Sequence, residues 1–219
     1  SKKISNTGGR NATAYSYIEK ARYAVGLYLN RHHINCVAVD LSGNVISLIR
    51  VRENFDLNDD NYLRKIGETV EEVKKDTGLS DDRFLGVGIA VQGLISDDGE
   101  RVTYGLTLNF TGVTRADIAK YIPYHNRLFH DSAAAGYAEV WDRNDLDDAF
   151  YLSLSNSVGG AVIVANKIFE GERRKSGEIG HMTIIPKAGD RCYCGQRGCF
   201  DTVCRANVLA EYADGDLEK

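Results

Sequence analysis

One histidine, His181, and three cysteines, Cys192, Cys194 and Cys199, stand within a single stretch of the chain, residues 177–201. Thiolates and imidazoles are what zinc takes when it closes a structural tetrahedron. Cys192 and Cys194 are too near each other for an ordinary disulfide, but both can face one ion. Gly195 and Gly198 let the chain turn back tightly enough to return Cys199, because glycine tolerates positive φ. The spacing predicts a structural zinc ion on His181, Cys192, Cys194 and Cys199; such clusters seldom arise otherwise in a chain without secretory features. A metal-free Cys-rich loop and a Cys192–Cys199 disulfide are the competing readings.

Two carboxylates bracket this knuckle, Glu178 before His181 and Asp201 after Cys199. A carboxylate accepts hydroxyl hydrogens in charge-assisted bonds. A metal-bound imidazole keeps its second nitrogen free to donate. Glu178, His181 and Asp201 are therefore predicted sugar contacts. So is Asn109, in Leu-Asn-Phe, which both donates and accepts hydrogen bonds. Phe110 reads equally well as a stacking face for a sugar or as core.

The elements that must position these residues can be read from periodicity. Residues 24–29, 34–40 and 45–51 read as strands, the second with clear alternation, and Ser42-Gly43-Asn44 as the turn between the last two. Residues 60–75 read as a helix whose apolar face is Leu63, Ile66, Val70 and Val73; Asp59 or Asp60 caps its start and Gly78 follows its end. Residues 84–91 read as a buried strand, 96–103 as a hairpin region, 115–121 as a short helix and 126–130 as a strand. The strand ends in Asp131, and a small-residue helix follows. An acid at the carboxyl end of a strand, before a helix N-terminus, is where α/β sheets hold ligands. Asp131 is predicted to touch a sugar hydroxyl, a role it can combine with capping the helix. Residues 149–154 and 161–165 read as further strands, with Ser155-Asn156-Ser157-Val158-Gly159-Gly160 as the turn between them. A last helix is predicted over 203–212.

The chain has 219 residues, 43% hydrophobic and 26% charged, with net charge −4. These are ordinary values for a globular α/β protein and give no general affinity for nucleic acid or membrane. No apolar run is long enough to span a bilayer, and no signal-peptide pattern stands at the start. The remaining cysteines fall in a predicted strand (Cys36) and helix (Cys204). The usage points to a reducing cytoplasm and metal binding rather than a disulfide framework.

Gly177-Glu178-x-Gly180-His181 followed by Cys-x-Cys-Gly-x-x-Gly-Cys at 192–199 resembles the signature of the ROK family of bacterial repressors, open reading frames and sugar kinases. The resemblance covers the chain from Ala24 to about Ala213. It implies a ribonuclease-H-like, actin/hexokinase-type α/β fold in two lobes, with 24–130 as the first and 131–219 as the start of the second. Residues 1–23, with Gly8-Gly9-Arg10, would be a leader, or a linker from an upstream DNA-binding domain. The C-terminal part of the second lobe would be missing, leaving apolar surface for a partner chain; a homodimer is expected.

The same resemblance makes Asp131 the general base of a kinase, with His130 in place of the usual Asn. Asp201 stands where the family usually has Glu. Kinases of the family carry an Asp-x-Gly-Gly-Thr turn that holds phosphate and magnesium; here the stretch is Tyr28-Leu29-Asn30-Arg31-His32. In the second phosphate turn Ser155 and Ser157 replace glycines. The reading is a cytoplasmic sugar-sensing effector domain of a ROK transcriptional regulator, which reaches operator DNA through a domain outside this chain and does not phosphorylate its sugar. An ATP-dependent sugar kinase, with Asp131 catalytic, is the alternative. A zinc-stapled scaffold for oligomer contacts is a third.

Overall fold

The computed structural model describes residues 2–4, 12–143 and 147–212. Strands β1 (Lys2–Ile4) and β2 (Ala12–Ala14) pair antiparallel within the expected leader or linker, 1–23; its Gly8-Gly9-Arg10 lies outside the described residues. Strands β3 (Tyr23–Leu29), β4 (His33–Asp40) and β5 (Val45–Arg52) form an antiparallel meander. Alternation sets the burial: Val25, Leu27 and Leu29 of β3 and Ile34, Cys36 and Ala38 of β4 turn into the core. The Asp40 carboxylate closes the β4–β5 turn by accepting from the N–H groups of Ser42 and Asn44.

Helix α1 (Asp60–Asp76) covers one face of this meander. Asp59 is its N-cap, accepting from the Asn61 N–H, and Lys74 and Lys75 occupy the last turn, where the helix dipole favours cations. Leu63, Ile66, Val70 and Val73 are buried, each contributing about 1.5–3 kcal/mol through burial. The chain returns through β6 (Phe84–Val91), the short pair β7 (Leu94–Ile95) and β8 (Val102–Tyr104), helix α2 (Arg115–Ile118) and β9 (Asn126–His130). Strands β6 and β9 run parallel to β3, giving the sheet order β5-β4-β3-β6-β9.

Asp60 ties α1 to the segment after α2. It accepts from Lys120 Nζ at 2.6 Å and from the Tyr121 hydroxyl at 2.8 Å. These two bonds, Lys120 first, hold its carboxyl down at about 2, against 3.8 when free. A depressed carboxyl pKa adds stability that is present above the unfolded value and is lost as pH falls through the folded one. Asp60→Asn should therefore flatten the fall in melting temperature between pH 3.8 and about 2, read by circular dichroism; an acid limb as steep as wild type would contradict it.

Helix α3 (Asp131–Asp142) leaves β9 without a loop. It packs on a second, antiparallel sheet of β10 (Ala149–Leu154), β11 (Val158–Val164) and β12 (Lys167–Phe169). The sequence reading put Gly159 and Gly160 in a turn and missed β12. In the structure both glycines lie inside β11, paired with Ser153 and Leu152. A side chain at Gly159 would overlap Ser132 Oγ, and one at Gly160 would overlap Ile179, so their bareness serves packing. Phe150, Leu152, Leu154 and Phe169 of this sheet are exposed. The predicted last helix is two, α4 (Asp201–Cys204) and α5 (Ala206–Tyr212), broken where Arg205 is extended.

Candidate functional site

The Gly-Glu-x-Gly-His segment lies against β11. A Cβ at Gly177 would overlap the Gly160 carbonyl, and one at Gly180 the Val158 carbonyl, so glycine at both positions lets the backbone sit directly on the strand. Residues Ile179–His181 form a 3₁₀ turn. Positions three apart eclipse in such a turn, which sets Glu178 and His181 side by side, with Glu178 Oε2 3.8 Å from His181 Nε2.

Glu178 faces the start of α3. Its Oε1 is 3.7 Å from His130 Nε2, and that nitrogen is 3.6 Å from Asp131 Oδ1. The result is a row of acid and imidazole, Asp131, His130, Glu178 and His181, running from the end of β9 to the knuckle. The gaps exceed direct hydrogen-bond length, so the members of the row are not bonded directly to one another. Asp131 also accepts from the Ser132 N–H at 2.8 Å. Burial pushes its carboxyl above the usual carboxylate range, against the opposing pull of His130 and Ser132.

Asp131, Glu178 and His181 line one cavity, together with His130, Tyr28 and Gln92. Its enclosed part is about 70 Å³, room for a few waters. Gln92 Nε2 donates to the Tyr28 hydroxyl at 3.3 Å. Burial, then the nearby Asp131 charge, pushes the Tyr28 phenol up to about 12, so it is neutral at pH 7. His130 and Tyr28 fall at motif positions where their residue types depart from the family's, and Gln92 follows β6; the pairing of β3, β6 and β9 brings the three together.

The other two predicted contacts do not join this cavity. Asn109 is exposed, in a left-handed turn at φ 54°, and lines none of its wall. Asp201 is fully buried; its Oδ1 accepts from the Val158 N–H at 2.8 Å, and it borders an adjoining cleft instead. Phe110 is core, edge-on to Phe55.

The four knuckle residues do converge. Their ligand atoms all lie within 4.8 Å of one another. Cys192 Sγ is 3.6 Å from His181 Nδ1, and Cys194 Sγ is 3.7 Å from Cys199 Sγ. A tetrahedron with metal–sulfur bonds of about 2.3 Å has edges of about 3.8 Å, so these separations suit a single ion. All three cysteines stand as free thiols in this structure. Gly195 and Gly198 have φ of 93° and 69°, the left-handed turns the sequence called for. His181 offers Nδ1 to the cluster and Nε2 to Glu178.

The model of the ROK family matches residues 24–219, and the chain belongs to that family. Its fold is the family's mixed α/β, actin/hexokinase-like one. The xylose repressor of Bacillus subtilis is 27% identical over 210 residues, which is 93% of this chain and 53% of that protein. The glucokinase of Halalkalibacterium halodurans is 22% identical over 195 residues, 88% of this chain and 59% of that protein. Among solved structures, a ROK family glucokinase from Streptomyces griseus in complex with glucose and AMPPNP superposes with a TM-score of 0.73 at 20% identity, covering 90% of this chain and 67% of that one. The chain spans about half the length of the curated repressors it matches. Both repressors and kinases stand among its relatives. Among the described residues, no helix is long and apolar enough to cross a membrane.

Proposed function

We propose that this chain is the sugar-sensing part of a ROK-family transcriptional regulator, which binds a sugar or sugar derivative and does not phosphorylate it. The observation that carries this reading is the state of the first hairpin turn. Where a kinase of the family presents bare backbone amides to phosphate, here Asn30 Oδ1 already accepts from the N–H groups of His32 and His33, at 3.0 and 2.9 Å. Arg31 reaches across to the Thr107 carbonyl at 2.7 Å. Tyr28, a phenol held neutral, stands where the metal-orienting Asp would be. The second turn is occupied in the same way: the Asn156 N–H bonds to Ser155 Oγ and the Val158 N–H to Asp201. Phosphoryl transfer depends on positioning and charge neutralisation, and in both turns N–H groups that would position phosphate are already bonded to side chains.

The sugar would meet Asp131, Glu178 and His181, with its hydroxyls in the gaps of the acid–imidazole row. A zinc ion on His181, Cys192, Cys194 and Cys199 would fix the His181 tautomer, leaving Nε2–H to donate. Sugar binding would favour one arrangement of the two sheets about α3 and so alter operator binding through a DNA-binding domain elsewhere in the protein; a ligand shifts such an equilibrium only by its differential affinity. Cytoplasmic location and a homodimer belong to the same reading.

One observation favours a kinase instead: the Asp131 carboxyl, raised by burial, is poised as a general base should be. A thermal-shift screen of the zinc-loaded protein against hexoses, pentoses, N-acetylhexosamines, their 6-phosphates and Mg-ATP separates the two. A ligand at ~100 times its Kd adds about 2.7 kcal/mol. The sensor reading predicts stabilisation by one sugar or sugar phosphate and none by Mg-ATP. Stabilisation by Mg-ATP, alone or jointly with a sugar, favours the kinase.

A further inference from the structure

The loop that leads into Glu178 has nothing apolar to hold it. Residues 171–176 read Gly-Glu-Arg-Arg-Lys-Ser, and most of them are exposed. The loop closes on itself through local bonds, from the Ser176 N–H to the Glu170 carbonyl and from the Glu178 N–H to the Lys175 carbonyl. Past it, Gly177 and Gly180 seat the chain on β11. Glu178 is therefore fixed to the second sheet, while His130, which it faces, ends β9 of the first. The gap between the two sides is where the proposed sugar is held.

One side chain of this loop crosses to the first sheet. Arg174 Nη1 donates to the Ser96 carbonyl at 3.2 Å, and Nη2 to the Asp97 carbonyl at 3.0 Å. Its Nε lies 3.5 Å from Asp97 Oδ1 and 3.4 Å from Glu170 Oε2, an acid from each of the segments it joins. A planar guanidinium reaches two adjacent carbonyls at once, which a lysine ammonium does less well. The receiving turn is firm. It joins β7 and β8, whose Ile95 and Val102 belong to the main core. Within it the Ser96 N–H bonds to the Arg101 carbonyl and the Glu100 N–H to Asp98. Arg174 itself has a φ of 52°, a left-handed conformation unfavourable to residues with a Cβ. Glycine would adopt it freely, so the backbone gives no reason for arginine here; the contacts of its side chain do. Arg174, Glu178 and His130 also line one small space of about 30 Å³, which sets the guanidinium beside the acid–imidazole row.

We propose that Arg174 is a positioning residue for the sugar cavity: it latches the Glu178 loop onto the β7–β8 turn, sets the gap between Glu178 and His130, and links the turn to the occupancy of the cavity. The inference rests on the sugar-binding reading above and adds to it a residue that does not line the cavity. The guanidinium touches no ligand. It acts through Glu178, by holding the loop of one sheet against the hairpin of the other.

Titration calorimetry and hydrogen exchange on the intact, zinc-loaded protein test it, with glucose, xylose, N-acetylglucosamine, N-acetylmannosamine and their phosphates as probes. In wild type, a bound probe should slow exchange in the 96–101 turn, although that turn lines none of the cavity. In Arg174→Met the affinity should fall about 10-fold or more, since a small misplacement of a contact group is costly. Protection of 96–101 by the probe should vanish. The ligand-free variant should melt within about 3 °C of wild type, as the loss of partly exposed ion pairs implies. Arg174→Lys should recover part of the affinity. Wild-type affinity in Arg174→Met overturns the proposal and leaves the sugar reading intact. Weaker binding with the turn still protected overturns it as well. So does a variant that melts several degrees lower and exchanges faster across both sheets, which would make Arg174 a general structural contact. If no probe binds wild type, the sugar reading fails. The latch is then judged on the free protein, where Arg174→Met should speed exchange at 96–101 and 170–178 and not in the core strands; unchanged exchange there overturns it.

Discussion

Removing the metal from the His181, Cys192, Cys194 and Cys199 cluster, by chelator or by Cys199→Ser, should lower the melting temperature by about 10 °C and abolish sugar binding. The size of the effect follows from how little else holds this segment. Met182, Ile184, Ile185 and Tyr193 are all substantially exposed, so the knuckle has almost no apolar core of its own. Its backbone is joined by isolated bridges, Thr183 to Cys199 and Arg191 to Arg197. Structural zinc is worth about 10–16 kcal/mol in free-standing zinc fingers. Here only the knuckle and its neighbours depend on it, and a loss of about 3 kcal/mol is expected, worth roughly 6–12 °C in a chain of this size. Binding fails with it because the cluster orients His181, and His181 orients Glu178. The check pairs metal analysis by mass spectrometry with melting curves and a sugar titration, followed by zinc add-back. A verified metal-free protein with unchanged melting and binding would overturn both roles.

Asp131→Asn should separate stability from binding. The Asp131 carboxyl is raised above its unfolded value by burial. A raised carboxyl pKa means that the folded state favours the proton, so the contribution is most favourable below the unfolded pKa and declines as pH rises through the folded one. At pH 7 the charge costs stability. Asparagine keeps the shape and can still accept from the Ser132 N–H, so the ligand-free variant should melt no lower than wild type at pH 7. Sugar binding should weaken by about 10- to 100-fold, the loss of one charge-assisted hydrogen bond of roughly 1.5–3 kcal/mol. A variant that melts several degrees lower and binds normally would show Asp131 to be a structural cap. This division, stability given up where a ligand is held, is common at functional sites.

The first sheet and α1 were legible in the sequence because one face of each is buried, and burial writes its period into the residues: Val25, Leu27 and Leu29 at two, Leu63, Ile66 and Val70 at three and four. The convergence of His181, Cys192, Cys194 and Cys199 was legible because they are rare residue types at short spacing. Gly159 and Gly160 misled because glycine serves both turns and close packing, and only the position of Ser132 and Ile179 tells which. Asn109 and Asp201 were expected in the sugar cavity by their residue type. The structure gives Asn109 a solvent-facing turn and Asp201 a backbone N–H to hold. The members Asp131, Glu178 and His181 were legible as contacts, but not their arrangement in a row through His130, since His130 and Glu178 are brought together only when α3 packs on β11.

The most direct measurement of the central claim is coupled ADP release by the zinc-loaded protein, with Mg-ATP and each sugar that stabilises it. The sensor reading predicts a bound sugar and no turnover above the protein-free rate. Steady ADP release that requires the sugar and disappears in Asp131→Asn would contradict it, and would make the chain part of a kinase that works without open phosphate turns.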